Sequence, residues 1–213
     1  MTQVHVVTSD NRSLYEDYIR DFFRLRHKVF VEERGWKNLR FSDGLETDCY
    51  DNRNAIYLIA IDNERVVGGQ RLYPTILPHM ISEVFPHLAP RGIPRAPSIL
   101  EWTRYFVVKE RRTGRTDCRL LAAFQEFCLE EGITEATAVV EMWWLPRWQQ
   151  AGFKVRPLGL PALVEDQPCI AAAIEISRDS LDQVNRLAGL RGSCLVRAGR
   201  LTPILDRVTY DAA

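Results

Sequence analysis

The stretch 55-AIYLIAIDNERVVGGQRLY-73 decides the fold class of this 213-residue chain. Its first part, residues 55–61, is an unbroken apolar run that predicts a buried strand. Residues 62–65 have the composition of a tight turn, and residues 66–73 return as a second strand. The two strands are therefore expected to be antiparallel neighbours, so the sheet that contains them cannot be wholly parallel.

Strands and helices alternate on both sides of this hairpin. Apolar runs predict strands at 4–7, 98–108, 137–142 and 170–176, and apolar residues spaced three or four apart predict helices at 14–30, 120–131, 144–151 and 181–190. We therefore expect an α/β fold with three α-β-α layers around a mixed sheet. No linker divides residues 1–190, which form one predicted domain. Residues 191–213 form a basic, weakly patterned tail that we expect to be partly disordered.

Composition narrows the classes of function. The 28 basic residues balance the 28 acidic ones, so no overall charge attracts nucleic acid or an anionic membrane, and neither is an expected partner. No apolar stretch reaches the roughly 20 residues that cross a bilayer, and the first residues lack the pattern of a signal peptide. Five cysteines without a C-x-x-C pair favour reduced thiols in the cytoplasm, and the four scattered histidines predict no metal site.

Two clusters in the first quarter of the chain have the chemistry of a binding site. Arg26 and Phe30 share a helix face, and with Trp36 they suit an anion or an adenine ring; the alternative is a surface arginine over core aromatics. A loop follows with four acids, namely Asp43, Glu46, Asp48 and Asp51. Dense carboxylates suit an ammonium or sulfonium cation or a hard metal ion, although the loop lacks EF-hand spacing, and the alternative is a solvated acidic loop.

Charged residues also interrupt two predicted strands. Arg71 follows two strand glycines, a pattern typical of a bulge or of close approach to a ligand, and its guanidinium suits a carboxylate. Glu101 and Arg104 lie three residues apart, which places them on opposite faces of a regular strand. If both serve one site, a β-bulge must lie between them, and the alternative is a buried salt bridge at a bend.

Two later segments have the composition of a phosphate-binding turn and of an apolar pocket. The turn from Arg111 to Thr116 contains a glycine and feeds a helix, so its N–H groups and arginines suit a phosphate; a solvated basic loop fits equally well. Trp143, Trp144 and Trp148 could wall a pocket for a bulky apolar group, or they form ordinary core.

In combination these residues resemble the LuxI-type acyl-homoserine lactone synthases. The matching set is Arg26-x3-Phe30-x5-Trp36, Asp48-x2-Asp51, Arg71, Phe85 and Glu101-x2-Arg104, within residues 4–176. The resemblance implies a fold like that of the GNAT acyltransferases, in which the Arg111–Thr116 turn is a degenerate phosphate loop. Residues 143–146 and 157–161 are similar to members that use branched or aryl acyl-CoA rather than acyl-carrier protein.

The resemblance implies a quorum-sensing signal synthase with two substrates and no further cofactor. The amine of S-adenosylmethionine attacks an acyl thioester, and lactone closure then expels 5′-methylthioadenosine. The implied catalytic residues are Glu101, Arg104 and Asp48. The implied S-adenosylmethionine-binding residues are Arg26, Phe30, Trp36, Asp48, Asp51, Arg71 and Phe85. The implied acyl- and CoA-binding residues are Thr103, Phe106, Arg111, Arg112, Arg115, Val140, Met142, Trp143 and Trp144.

Two alternatives remain open on the sequence alone. A GNAT N-acyltransferase acting on another amine would share the sheet and the phosphate turn, but it would not need Arg26, Phe30 and Trp36. A non-catalytic domain that binds a small acyl ligand would bind S-adenosylmethionine weakly or not at all.

Overall fold

A mixed sheet forms the middle layer of the structure, a computed structural model that describes residues 2–36, 39 and 41–206. Over those residues nine strands share this sheet, and β2 and β3 form a separate two-stranded ribbon. The strands are β1 (Gln3–Val7), β2 (Phe41–Ser42), β3 (Leu45–Glu46), β4 (Ile56–Asp62), β5 (Arg65–Pro74), β6 (Ile99–Val107), β7 (Glu135–Glu141), β8 (Val155–Pro157), β9 (Ala162–Val164), β10 (Gln167–Glu175) and β11 (Leu195–Val196).

The predicted hairpin lies near the middle of this sheet. Strands β4 and β5 are antiparallel neighbours, with Ile56 opposite Leu72, as the sequence predicts. The order across the sheet is β11-β1-β4-β5-β6-β7-β10-β8, and β9 pairs with β10. Because β6 and β7 are parallel while β4, β5 and β6 alternate in direction, the sheet is mixed.

Helices cover both faces and complete the three layers. They are α1 (Glu16–Arg26), α2 (Met80–Glu83), α3 (Thr116–Glu130), α4 (Trp144–Gln150) and α5 (Arg178–Ala188). On one face, Phe22 of α1 packs against Tyr57 and Phe106 of the sheet. On the other face, Phe124 of α3 stacks on Trp102. The predicted first helix is α-helical only to Arg26, since His27–Glu33 continue as a wider π-helix, a feature found often at functional sites.

The segment after residue 190 is part of the domain as far as the structure describes it. Leu195 pairs with Val4, so β11 extends the sheet beyond β1. Cys194 and Ile204 are buried in the main core. Residues 191–206 of the predicted tail therefore pack against the predicted domain, through single apolar residues that leave no periodic pattern in the sequence. Residues 207–213 of the predicted tail lie outside the described residues.

The sheet opens between its two central parallel strands. Strands β6 and β7 pair only where Ile99–Glu101 lie opposite Glu135–Thr137, although both continue beyond that point. The later residues of β6 pair on their other side with β5. The result is a gap in the middle of the sheet, flanked by the backbone of both strands.

A β-bulge in β6 lies beside this gap. Thr103 is opposite Arg71 and Phe106 is opposite Gly69, so two residues of β6 span a single residue of β5. Arg104 adopts a left-handed backbone with φ of 54°. Thr103 and Arg104 consequently send their side chains to the same face, which is also the face of Glu101. The structure thus contains the bulge that the odd spacing of Glu101 and Arg104 requires.

We expect Gly69→Ala to destabilise the protein by about 1–3 kcal/mol, the usual effect of overpacking. A Cβ at Gly69 would lie 2.6 Å from the Phe22 ring and 2.9 Å from the Leu58 carbonyl oxygen. Gly114→Ala is the matched control, because its nearest contact would be an ordinary 3.6 Å. Urea unfolding measures both, and a Gly69→Ala protein as stable as the control would contradict this account of the packing.

Candidate functional site

Three buried arginines and three carboxylates form one ionic cluster on the α1 face of the sheet. Each of these side chains is 15% exposed or less. They come from the end of α1, from β5 and the β6 bulge, and from β3 and the loop after it. The members of the ionic cluster are Arg26, Arg71, Arg104, Glu46, Asp48 and Asp51.

Two of the arginines bind the loop carboxylates through paired hydrogen bonds. Arg26 donates to both oxygens of Asp51 at 2.7 and 3.0 Å, and its Nε donates to Glu46. Arg71 donates to both oxygens of Asp48 at 2.6 and 3.0 Å, and its Nε donates to the Thr103 hydroxyl at 3.0 Å. Such fork-shaped contacts fix the position of the loop as well as its charge.

Arg104 joins the two halves of the ionic cluster. Its Nη2 donates to Glu46 at 3.1 Å and to Asp48 at 2.8 Å. The charges of the six members cancel, which offsets the large cost of burying each of them. Burial opposes ionisation of Asp48 and Asp51, yet the charge of Arg71 prevails and holds the pKa of both carboxyls below the ordinary range.

Glu101 lies on the same face but outside these ion pairs. It accepts hydrogen bonds from the backbone N–H groups of Met80 at 2.9 Å and Ile81 at 2.7 Å, where α2 begins. The side chain is almost fully buried. Burial raises its pKa to about 7, although the two backbone bonds and the charges of Arg71 and Arg104 act in the other direction. A carboxyl with this pKa can take up and release a proton near neutral pH.

Aromatic rings border the ionic cluster on the π-helical side. Phe30 stacks on Trp36 with ring centroids 5.0 Å apart, and its edge meets Phe106. The Arg34 guanidinium lies over the rings of Phe30, Trp36 and Trp143. A cavity of about 560 Å³ begins here and is lined by Arg34, Gly35, Trp36, Glu141, Trp143, Glu165, Asp166 and Gln167.

The structure brings together most of the residues that the resemblance names. The ionic cluster holds Arg26, Asp48, Asp51, Arg71 and Arg104, with Thr103 bound to Arg71. Phe85 lies outside the ionic cluster and packs with Ile81 and Leu88 in a neighbouring apolar cluster.

Sequence reasoning missed the role of Glu46. This fully buried carboxylate contacts both Arg26 and Arg104. The sequence shows Glu46 only as one of four acids in a loop, two residues before Asp48. In the structure Glu46 lies on the short strand β3, and Asp48 follows that strand. A two-residue strand carries no alternation that could separate a buried acid from a solvated one.

The predicted phosphate turn leads directly into α3. Arg111 pairs with Asp62 and Arg112 pairs with Glu33, each at 2.6 Å, while both guanidinium side chains stay more than 40% exposed. Arg115 lies against Gly189. A phosphate bound at this turn would therefore compete with the two carboxylates for Arg111 and Arg112.

The tryptophan segment turns away from the sheet earlier than the sequence predicts. Strand β7 ends at Glu141 and α4 begins at Trp144, so Met142 no longer belongs to the strand. Trp144 is buried, whereas Trp143 is 51% exposed and donates from Nε1 to Glu141 at 2.7 Å. Val140 and Met142 are half-buried.

The part of the chain that the structure describes lacks a metal-ligand cluster and a membrane-spanning helix. Among residues 2–36, 39 and 41–206, no group of three or more His, Cys, Asp or Glu side chains is arranged to hold a metal ion. Within the same ranges, no helix is long and apolar enough to cross a membrane.

Comparison with known protein families identifies the family of this chain. The autoinducer synthase family profile matches residues 10–184. The chain belongs to the autoinducer synthase family. This confirms the predicted acyl-homoserine lactone synthase, and it favours that synthase over the two alternatives that the sequence left open. The sequence is 54% identical over 188 residues to the isovaleryl-homoserine lactone synthase of Bradyrhizobium diazoefficiens, covering 88% of this chain and 86% of that protein.

Solved structures of autoinducer synthases agree with this fold. BjaI, a CoA-dependent acyl-homoserine lactone synthase solved with SAM and isopentyl-CoA, superposes with a TM-score of 0.95 at 49% identity, covering 99% of this chain and all of that one. MesI, also CoA-dependent, gives 0.86 at 34% identity over 92% of this chain and 100% of its own. A putative N-acetyltransferase from Lactobacillus plantarum gives 0.58 at 16% identity, which confirms the GNAT-like fold.

We expect Asp51→Asn to lower the free energy of unfolding by about 3 kcal/mol, because it removes one charge from a buried, balanced set. Asp21→Asn is the control. It breaks an ion pair with Arg24 whose side chains are at least 50% exposed, so its cost should stay below about 1 kcal/mol. Equal losses in urea unfolding would show that the ionic cluster does not stabilise the fold.

The Asp51→Asn variant should also differ from the unaltered protein in the way its stability depends on pH. Since the pKa of Asp51 is lowered in the folded protein, its ionised form stabilises the fold above the ordinary carboxyl pKa of 3.8, and this contribution disappears as the pH falls below that value. Stability of the Asp51→Asn variant should therefore decline less steeply below about pH 4 than that of the unaltered protein.

Proposed function

We propose that this synthase transfers a branched acyl group from acyl-CoA to the amine of S-adenosylmethionine and then closes the lactone. The observation that carries the proposal is Glu101, a buried carboxyl with a pKa of about 7 beside the ionic cluster and the β6 bulge. The relatives support the choice of substrates. One is named for isovaleryl-homoserine lactone, and BjaI was solved with SAM and isopentyl-CoA.

In the first step Glu101 acts as the general base. It takes a proton from the ammonium of S-adenosylmethionine, directly or through a water, and the freed amine attacks the thioester carbonyl carbon. The new C–N bond gives a tetrahedral oxyanion, whose collapse breaks the C–S bond, and the CoA sulfur leaves as a thiol with the second proton lost by the nitrogen. Backbone N–H groups at the Arg104 bulge are suited to stabilise the oxyanion, because a bulge leaves one residue outside the ladder of hydrogen bonds.

In the second step the carboxylate oxygen of the acylated substrate attacks its own γ-carbon. The C–S bond to the sulfonium breaks, and 5′-methylthioadenosine leaves as a neutral thioether. The protein mainly has to hold the chain in a bent shape for this ring closure. Among the carboxylates of the ionic cluster, Asp48 has the most exposed side chain, so we assign it to the cationic part of the substrate.

The remaining residues of the adenosyl site divide by chemistry. The stacked rings of Phe30 and Trp36 suit the adenine, and Arg26, Asp51 and Arg71 keep the loop of Asp48 in place. Phe85 lies in the neighbouring apolar cluster, so any contact it makes with substrate would come from that side.

The CoA donor fits the gap between β6 and β7, at the end away from the adenosyl site. Unpaired backbone along the two strands suits the amide groups of pantetheine, and the turn of Arg111, Arg112 and Arg115 at the start of α3 suits its phosphates. Thr103, Phe106, Val140, Met142, Trp143 and Trp144 then surround the acyl end. We place the enzyme in the cytoplasm, where its five free cysteines would persist as thiols.

Glu101→Gln tests the base. The amide keeps the size of the side chain but cannot take a proton, so we expect kcat to fall about 10²-fold or more. In the unaltered enzyme kcat/KM should rise as the pH increases through about 7, because only ionised Glu101 is active. Release of free CoA thiol against pH measures both, and near-normal turnover by the variant would assign the base to another group.

Mass spectrometry of the product tests the substrates. The purified enzyme with S-adenosylmethionine and isovaleryl-CoA should yield isovaleryl-homoserine lactone and 5′-methylthioadenosine. Arg111→Glu should raise KM for the CoA donor while KM for S-adenosylmethionine stays unchanged. Efficient use of a long straight-chain acyl-carrier protein, with little activity on isovaleryl-CoA, would contradict the proposed donor.

A further inference from the structure

A buried polar group lies behind the β6 bulge, on the face opposite the ionic cluster. The Tyr105 hydroxyl donates to Oδ1 of Asp117 at 2.5 Å, and Asp117 forms an ion pair with Arg147. The three residues come from β6, the first turn of α3 and the middle of α4. We call this set of Tyr105, Asp117 and Arg147 the strut.

The carboxylate of the strut is shielded from water, whereas the Arg147 side chain is 39% exposed. Asp117 is buried. Burial of the Tyr105 hydroxyl, together with the negative charge of Asp117, raises the pKa of Tyr105. The hydroxyl therefore stays protonated and keeps donating its hydrogen bond to Asp117. Nε of Arg147 is also buried and has no hydrogen-bond partner in the structure. The position of the Arg147 guanidinium therefore depends on Asp117.

Both ends of the strut hold Trp144. The Arg147 guanidinium lies over the Trp144 ring at 5.3 Å, and the Tyr105 ring meets it edge-on at 5.0 Å. Trp144 in turn stacks on Trp143, which lines the cavity beside Trp36. A shift of the strut would move this pair of indole rings.

The place of Trp144 gives these contacts a functional meaning. Tyr105 lies in β6 beyond Glu101, where pairing with β7 has stopped, and Trp144 begins the helix that follows β7. The contact between their rings therefore links the two strands that border the gap, on the α3 face. An acyl chain entering the gap from the thioester would end against this wall.

We propose that Tyr105, Asp117 and Arg147 are positioning residues that fix Trp144 as the end wall of the acyl pocket and so set the length of acyl chain the enzyme accepts. None of them touches the reacting atoms. The inference rests on the proposed function, since it deepens the acyl-donor site of that reaction. A wall held from two sides cannot move aside for a longer chain, and each extra methylene is then penalised.

The test compares kcat/KM for isovaleryl-CoA and octanoyl-CoA. In Asp117→Asn and in Arg147→Met, we expect the ratio to shift toward octanoyl-CoA by about tenfold or more, with KM for S-adenosylmethionine unchanged. Arg147→Lys keeps the charge and should restore part of the preference. Arg156→Met is the matched control, because it breaks an ion pair with Glu135 in which the arginine side chain is 61% exposed and should leave the ratio unchanged.

Circular dichroism and urea unfolding check that each variant folds. If Asp117→Asn does not fold, Tyr105→Phe decides, because it keeps the ring against Trp144 and removes only the hydroxyl. An unchanged ratio in the folded variants, or an equal loss for both donors, would overturn the strut as a determinant of chain length. Failure of the unaltered enzyme to form lactone from either acyl-CoA would overturn the proposed function itself, and this inference with it.

Discussion

The structure depends on the neutralisation of three buried guanidinium groups by three carboxylates. Arg26, Arg71 and Arg104 come from a helix and two strands, whereas their partners come from one short segment after β2. Removing any partner would leave a charge in an apolar surrounding, so the loop has one position that satisfies all of them. This constraint gives the acidic loop a fixed position beside the candidate site.

The bulge at Arg104 makes that neutralisation compatible with a continuous sheet. Without it, Arg104 would face α3 and Glu101 would face the loop. With it, both lie on the loop side, and Tyr105 takes the place on the α3 side. One irregular residue thus supplies the ionic cluster on one face of the sheet and the strut on the other.

The sequence was informative where chemistry depends on local spacing. An apolar run followed by turn residues was enough to predict the hairpin of β4 and β5 and hence the mixed sheet. The odd spacing of Glu101 and Arg104 was enough to predict the need for a bulge if both serve one site. Such local patterns were not enough for Glu46, whose partners lie 20 and 58 residues away. The same holds for Asp117 and Arg147, and for the packing of Cys194 and Ile204, because contacts between distant segments leave no periodic signal.

The pairing of Val4 with Leu195 has a consequence for how the chain acquires its fold during synthesis. Strand β1 precedes the other strands of the described sheet in the sequence, yet its outer edge is covered by β11, which is made after all of them. Until then the exposed N–H and C=O groups of β1 are open to pairing with other chains. Sheets closed by such distant contacts fold slowly, so a nascent chain that has not yet released residue 195 exposes an unpaired strand edge.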